Sequence, residues 1–410
     1  MRATMHTRPV WVEISRQALL NNFRHLRERA GAAIDLLAVV KANAYGHGIL
    51  ECAPLLAGPG AEHAEGWIGV TCVEEGVRIR PYCPNARILV MSGLWRGEAE
   101  AALEHGLTPV AWEPFHFDEL ESTAARLGLN PHSIPVHLEL DTGMSRQGAR
   151  FAAAEPGNAA ALTDLLARFS PRSALRLEGV MTHLSAPEMI EEKTTGTQIA
   201  RLTSALDLIA AQGLKPKWVH AGNSATLLAA KDTTALSTTA ARIGARLMLR
   251  PGLTLYGYLP RFSPQESTQP FADSLLGYRP VLAWKTRITS LRTIASGDSA
   301  GYNATFRASR ETRLALLPMG YADGLNRLLS NRGEVLLRGH RAPIAGRVSM
   351  DQTIIDVTHV PGASIGDEVA ILGRQGEQSI SAYDLADLAG TIPFEVLCAI
   401  NTRVPRLLVD

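Results

Sequence analysis

Over the first two-thirds of the chain, short apolar runs alternate with longer segments in which apolar residues recur every three or four positions. The short runs fall at roughly 36–41, 67–72, 87–92, 108–112, 135–140, 177–183, 217–221 and 246–250, and have the length and composition of buried strands. The longer segments predict helices at Glu98–His105, Pro114–Leu127 and Ile190–Gln212, the last with Leu202, Leu206 and Ile209 at helical spacing. Connections of this length suit parallel pairing, and eight parallel strands close a barrel. The pattern therefore predicts an α/β chain built on a (β/α)8 TIM barrel, with a doubly wound open sheet as the alternative.

From Leu259 to Gly277 the periodicity fades, and Pro260, Ser263, Pro264, Gln265, Ser267, Thr268, Gln269 and Pro270 crowd together as in a linker. Beyond it come strands without intervening helices: Val281–Ile288, Leu314–Pro318, Glu334–Leu337, Ala342–Val348, Thr353–Val357 and Glu368–Leu372. A serine-capped helix over Ser381–Ala389 and a last strand at Arg406–Val409 complete a small, mostly-β domain. The reading assigns 12–260 to the barrel, 261–274 to the linker, and 1–11 with 275–410 to the β domain.

Composition narrows the partners. With 410 residues, 46% hydrophobic, 20% charged and a net charge of +1, the chain is long enough for two or three domains and has no basic excess for nucleic acid. It contains no run of 18 apolar residues, and Met1–Pro9 lacks the apolar core of a signal peptide, so a cytoplasmic location away from membranes is expected. Cys52, Cys72, Cys83 and Cys398 are scattered, with no histidine at metal-ligand spacing, which predicts reduced thiols and no metal.

The candidate chemistry gathers where a barrel places it, on the loops after the strands' C-terminal ends. Lys41 ends the first strand in Val39-Val40-Lys41-Ala42-Asn43-Ala44-Tyr45-Gly46-His47-Gly48. Arg146 follows the fifth, His183 ends the sixth, Asn223 and Ser224 follow the seventh, and Arg250, Gly252 and Leu253 follow the eighth. A desolvated lysine is driven toward its neutral amine, which condenses with carbonyls. A serine hydroxyl beside glycine-flanked N–H groups after the last two strands suits a phosphate. Each residue alone has a plain structural explanation, whether a snorkelling lysine, a core histidine or a surface arginine. Together on one rim they describe a site for pyridoxal phosphate. Two other motifs fail: Gly46-His47-Gly48 has Glu51 where a dinucleotide loop needs glycine, and Gly222-Asn223-Ser224-Ala225-Thr226 ends in threonine where a nucleophile elbow needs glycine.

These segments, with Asp141–Arg146, Thr182-His183, Leu255-Tyr256-Gly257, Gly301-Tyr302-Asn303-Ala304-Thr305, Gly320–Gly324, Gly346–Gln352 and Arg403–Arg406, resemble the alanine racemases, fold-type III pyridoxal phosphate enzymes, over nearly the whole chain. The resemblance implies that Lys41 binds the cofactor covalently and that Tyr45, Ser224, Gly252, Leu253 and Tyr321 surround or neighbour its phosphate. It sets His183 against the cofactor ring, Arg250 on the pyridine nitrogen, and Asn223 and Arg146 nearby. It also implies a second base, Tyr302, reaching the barrel mouth from the partner of a head-to-tail homodimer with Arg347, Met350 and Asp351. His220 is a further cationic candidate near that mouth. The family's product, D-alanine, serves peptidoglycan synthesis.

Two positions depart from the family pattern. Glu139 stands where relatives often carry a lysine whose carbamate holds the equivalent of Arg146, and a carboxylate there can supply that charge directly, by a bidentate contact or through a water. Thr402 stands where many relatives have a tyrosine that narrows the substrate entrance, leaving room for side chains larger than alanine's, including serine's. The alternatives are a serine or broader amino-acid racemase, a fold-type III decarboxylase and a non-catalytic pyridoxal phosphate carrier.

Overall fold

The computed structural model describes residues 7–151, 157–191, 193–263 and 277–410. The chain forms two compact units, one of the stretch ending at Ala18 with Asn43–Glu51 and Pro280–Asp410, the other of Leu19–Ala42 and Cys52–Arg279.

The second unit is the expected closed barrel. Its eight strands are Asp35–Val39, Trp67–Val70, Arg87–Val90, Leu107–Ala111, Ile134–Asp141, Leu175–Met181, Trp218–His220 and Arg246–Leu249, each parallel to its neighbours. Closure is made by Val110 opposite His137 and by Met248 opposite Asp35. The strands read as unbroken apolar runs because parallel strands are covered on both faces, and Ile68, Ile88, Val110, Leu138, Val180, Val219 and Met248 are fully buried. Among the helices, Pro114–Leu127 has the bounds its sequence predicts, with proline in its first turn and Gly128 in the left-handed conformation at its end. Thr194–Ala211 starts later than expected, at a threonine pair following Lys193.

At the strands' N-terminal ends the barrel is plugged by two indoles. Trp67 and Trp218 meet edge to face at 5.1 Å, and the Arg87 guanidinium lies 5.5 and 5.0 Å from their ring centres.

The other unit carries the expected mostly-β domain. One sheet runs in the order His340–Pro343, Glu334–Leu337, Glu368–Gln375, Leu282–Arg287, Val10–Ser15, Arg406–Val409, with Gln378–Ile380 added to Glu368–Gln375. A second holds Ser290–Ile294, Thr312–Leu317 and Thr353–Asp356, and a short hairpin pairs Ser299–Ala300 with Phe306–Arg307. Val10–Ser15 alternates buried and half-buried positions as a sheet-covered strand does, and the boundary expected between residues 11 and 12 falls inside it. Ser381 caps Ala382–Ala389, its Oγ accepting from Asp384 N–H. Of the linker stretch, 261–263 are described, with Ser263 paired to Met189, and 264–274 lie outside the described residues. No helix among the described residues is long and apolar enough to cross a membrane.

Two glycines in the barrel unit make opposite predictions. A Cβ on Gly179 would lie 2.5 Å from Nδ1 of buried His137, so Gly179→Ala is expected to cost roughly 1–3 kcal/mol. Gly196, in the exposed face of a helix, has nothing within 4 Å of a built Cβ, so Gly196→Ala should gain about 0.5–1 kcal/mol. Thermal melts should move in opposite directions.

Candidate active site

Lys41 opens a helical turn of the wrong hand. Ala42, Asn43, Ala44 and Tyr45 have φ of +52°, +54°, +55° and +52°, a conformation that costs L-residues roughly 1–2 kcal/mol each and is rarely held by several in succession. The first strand consequently stops at Val39, two residues before the lysine, rather than at Lys41 as the sequence suggests. Local bonds stabilise the turn: Asn43 Oδ1 accepts from Ile49 N–H at 2.9 Å, and Asn43 O accepts from Gly48 N–H at 2.9 Å. In the β unit, Arg406 donates to Gly46 O at 3.0 and 2.9 Å and to the carbonyls of Ile400, Asn401 and Val404. Gly46 is required there, since a Cβ would sit 2.0 Å from Leu397 O. Tyr45 is buried, its ring 5.7 Å from Phe394, and burial raises its phenol above the ordinary range.

Arg250 is the centre of the barrel's polar end. It is buried, its Nη1 donating to His220 O at 2.7 Å and to His220 Nδ1 at 3.2 Å, its Nη2 to Thr182 O at 2.8 Å and to His183 Nδ1 at 3.3 Å. Burial first, then the neighbouring Arg146 charge, lowers its pKa to about 10 against the opposing pull of Glu139, so it stays a cation at neutral pH. Because a guanidinium only donates, His220 Nδ1 and His183 Nδ1 must be acceptors, and both rings are neutral with the proton on Nε2. Burial brings His183 down to about 3, helped by Arg250, Arg146 and Lys41, and places His220 well below its usual value. The order continues inward: His220 Nε2 donates to His137 Nδ1 at 2.7 Å, and His137 Nε2 faces Glu178 Oε2 at 3.6 Å.

A second set of hydrogen bonds aligns the loops after the fifth and sixth strands. Thr182 Oγ1 donates to Leu140 O, Thr142 Oγ1 to Thr182 Oγ1, and Gln198 Nε2 to Thr142 Oγ1 and His183 O. Asp141 Oδ1 collects the N–H groups of Gly143, Met144 and Ser145 at 2.9–3.0 Å, shaping the loop that presents Arg146. Glu139 is buried, and its partner is Gln147, whose Nε2 donates to Oε2 at 2.6 Å. The bidentate contact to Arg146 considered from the sequence is therefore not made, and Arg146 acts on Glu139 only through its charge. Burial raises the Glu139 carboxyl to about 7, opposed by Gln147 and by the Arg250 and Arg146 charges.

Ser224 and the stretch after the eighth strand form a cradle. Ser224 Oγ accepts from Gly252 N–H at 3.1 Å and Thr254 N–H at 3.3 Å, at the start of the turn Leu253–Tyr256. Asn223 caps the short helix Ser224–Leu228, its Oδ1 engaged by the N–H groups of Ala225 and Thr226, so its side chain shapes the cradle. The buried hydroxyls Thr226 Oγ1 and Thr254 Oγ1 have no hydrogen-bond partner among the described residues. A serine hydroxyl ringed by backbone N–H groups, unmet hydroxyls, a fixed guanidinium and a half-buried lysine on one barrel end fit a phosphorylated aldehyde such as pyridoxal phosphate.

The remaining predicted residues belong to the β unit. Tyr302 is 68% exposed, on a turn with Gly301, Asn303 and Ala304 at φ +74°, +62° and +51°. Tyr321, Met350 and Asp351 are also exposed, and Thr402 Oγ1 lies 3.5 Å from Asn401 Oδ1. Backbone contacts knit these loops together: Tyr321 N–H donates to Ser349 O and Ala322 N–H to Met350 O at 3.0 Å each, and a Cβ on Gly320 would sit 2.0 Å from Ser349 O. Beneath them lies buried Asp323. Arg8 and Arg403 each bind both its oxygens at 2.5–3.0 Å, and Gly320 N–H donates to Oδ2 at 3.0 Å. Burial alone would raise its pKa, but the two arginines hold it below the ordinary range. Arg403 reaches on to Asp351 at 2.7 Å, and Arg347 Nε is buried without a hydrogen-bond partner among the described residues.

Gln147, Gln198, His137 and Glu178 escape the sequence reading. The available signal is a polar residue at a position the apolar run would bury, with Gly179 beside His137 to make room for the ring.

An eight-stranded barrel with an amine, a phosphate-type cradle and a buried arginine at one end, followed by a β domain, defines a fold-type III pyridoxal phosphate architecture. Sequence models of the family match accordingly: alanine racemase, N-terminal domain, over residues 14–260, and alanine racemase, C-terminal domain, over 281–408. The alanine racemase of Halothermothrix orenii is 35% identical over 400 residues, covering 98% of this chain and 97% of its own. That of Sorangium cellulosum is 38% identical over 410 residues, covering 97% and 98%. The solved alanine racemase from Streptomyces lavendulae superposes with a TM-score of 0.84 at 30% identity, over 98% of this chain and 97% of that one. The Bacillus anthracis alanine racemase, solved with bound L-Ala-P, superposes with a TM-score of 0.82 at 30% identity, over 98% and 95%. The chain belongs to the alanine racemase family, a family of isomerases.

Glu139 makes a pH prediction. Its folded pKa of about 7 lies above the unfolded value, so between about pH 4.5 and 7 the native state binds the extra proton and stability falls as pH rises. Glu139→Gln should remove that loss, and its unfolding midpoint should gain on the wild type's as pH is raised through this window in parallel melts.

Proposed function

We propose that the protein is a pyridoxal phosphate-dependent racemase that interconverts L- and D-alanine as a homodimer, with Lys41 and Tyr302 as its two bases. The observation that carries this reading is the gathering at one end of the barrel of half-buried Lys41, the Ser224 cradle and buried Arg250, the last bonded to His183 Nδ1 at 3.3 Å. Bound pyridoxal phosphate would supply an aldehyde that links to the amino acid's nitrogen and an electron sink that weakens its Cα–H bond.

The residues divide that task. Ser224 with the N–H groups of Gly252, Leu253 and Thr254 holds the phosphate, and Asn223 and Tyr45 shape its surroundings. His183 lies against the ring. Arg250 offers the ring nitrogen a hydrogen bond but no transferable proton, which limits electron withdrawal and favours return of the proton to Cα. Arg146, Tyr321, Met350 and Asp351 receive the substrate, with Arg347 and His220 behind them. Racemisation needs a base on each face of Cα, because a single base that returns its proton to the same side only exchanges it. Lys41 Nζ serves one face and Tyr302 Oη the other.

An exposed tyrosine on a strained, glycine-led turn supports donation of Tyr302 to a partner subunit's barrel, with residues 12–260 forming the cofactor domain and 275–410 the donating one. The resulting D-alanine suits peptidoglycan synthesis in the cytoplasm.

The deciding assay incubates the purified protein with pyridoxal phosphate and L-alanine and follows D-alanine by chiral chromatography. Lys41→Ala should lose both turnover and the violet-edge absorbance. Tyr302→Phe should keep the absorbance and stop racemisation while still exchanging the Cα proton of one enantiomer with deuterated solvent. Undiminished racemisation by Tyr302→Phe would overturn the two-base assignment.

The small, exposed Thr402 supports acceptance of larger substrates. Thr402→Tyr is expected to lower turnover of L-serine relative to L-alanine by roughly tenfold, measured with the two substrates in parallel.

A further inference from the structure

The turn that carries Tyr302 is held by a residue with no part in the chemistry above. Asn331 donates from Nδ2 to Thr305 O at 3.3 Å and to Thr305 Oγ1 at 3.1 Å, while its Oδ1 accepts from Gly346 N–H at 2.6 Å. One amide thus ties the end of the Gly301–Thr305 turn to the loop that carries Arg347 and Met350. Beside it, Ser330 Oγ accepts from Val348 N–H at 3.0 Å and donates to Arg327 O at 2.5 Å, fixing the same loop two residues further on.

The requirement is specific. Asn331 has φ +56°, a left-handed conformation that glycine takes freely and asparagine tolerates better than most other residues. Glycine lacks the side chain, and aspartate keeps the acceptor but loses the donor. The turn has reason to need such a clamp. Asn303 and Ala304 are both left-handed, and the flanking Ser299–Ala300 and Phe306–Arg307 hairpin is only two residues long on each side. Below it sits a small apolar cluster of Ala300, Leu314 and Ala345 with Ile294, Phe306 and Ile354. That cluster fixes the hairpin's base, whereas Tyr302 projects from its tip and depends on the polar contacts there.

We propose that Asn331 is a positioning residue for Tyr302, fixing the phenol's approach to the substrate through Thr305 and Gly346. This inference rests on the two-base reading. A misplacement of about 1 Å in a reacting group can cost on the order of 10²-fold in rate. The loop that carries Arg347 and Met350 keeps its other ties, Val348 N–H to Ser330 Oγ and the N–H groups of Tyr321 and Ala322 to Ser349 O and Met350 O, so loss of the clamp falls on the Tyr302 turn.

Asn331→Gly keeps the backbone conformation accessible and deletes the clamp. In the holoenzyme, its racemisation kcat should fall roughly 10- to 100-fold. Cα proton exchange by Lys41 on its own enantiomer, followed by NMR in deuterated buffer, should stay within about twofold of wild type, as should cofactor absorbance. Asn331→Asp should fall between the two. In the Tyr302→Phe background, Asn331→Gly should change nothing. Racemisation and exchange falling together, or racemisation within about twofold of wild type, would overturn the proposal. If Asn331→Gly fails to fold, Asn331→Asp provides the same comparison. Normal racemisation by Tyr302→Phe alone would instead remove the two-base reading, a failure that does not involve residue 331.

Discussion

The barrel's polar end depends on one constraint: a guanidinium that cannot accept a hydrogen bond is buried where several acceptors converge. Arg250 draws its partners from the sixth and seventh strand ends, through the carbonyls of Thr182 and His220 and the rings of His183 and His220. Its donor-only character fixes both tautomers, and through His220 it fixes the orientation of His137. A lysine could not do the same, because three rotatable donors on a point charge would leave the ring orientations open. Glu139 and Gln147 complete the balance on the far side, the carboxyl softening the repulsion between Arg146 and Arg250.

The β unit solves a different problem, holding exposed side chains steady on loops. Asp323 does so with a doubly paired carboxylate under the surface, and glycines at 301, 320 and 346 let backbones approach more closely than a Cβ permits. Removing one arginine would leave that carboxylate buried and half satisfied, which costs more than the pair itself is worth. The loops are therefore ordered from beneath, by contacts the substrate never sees.

Much of this was readable from the sequence, for identifiable reasons. Buried parallel strands give unbroken apolar runs, so all eight barrel strands are legible to within a few residues. Rim residues are legible because strand ends are where barrels keep their chemistry. The left-handed turn after Lys41 is not, since Lys-Ala-Asn-Ala-Tyr contains no glycine to announce it and the strain is held by distant partners such as Arg406. Gln147, rather than Arg146, meets Glu139 on a loop whose course is set by Asp141 Oδ1 accepting three of its backbone N–H groups, contacts that no charge-pairing rule considers. His137 and Asn331 stay hidden for the same reason: their partners lie across the fold, and no local pattern marks them.

The assignment of Asn43–Glu51 to the β unit, while Leu19–Ala42 and Cys52–Arg279 form the barrel, has an evolutionary edge. A gene split between the barrel and the C-terminal strands would not yield two self-sufficient polypeptides. The upstream fragment would carry Gly46 away from Arg406 and Val10–Ser15 away from both neighbouring strands. Recombination that swaps only the downstream half must therefore preserve this interleaving, so the two halves of such a chain are constrained to be inherited as a matched set.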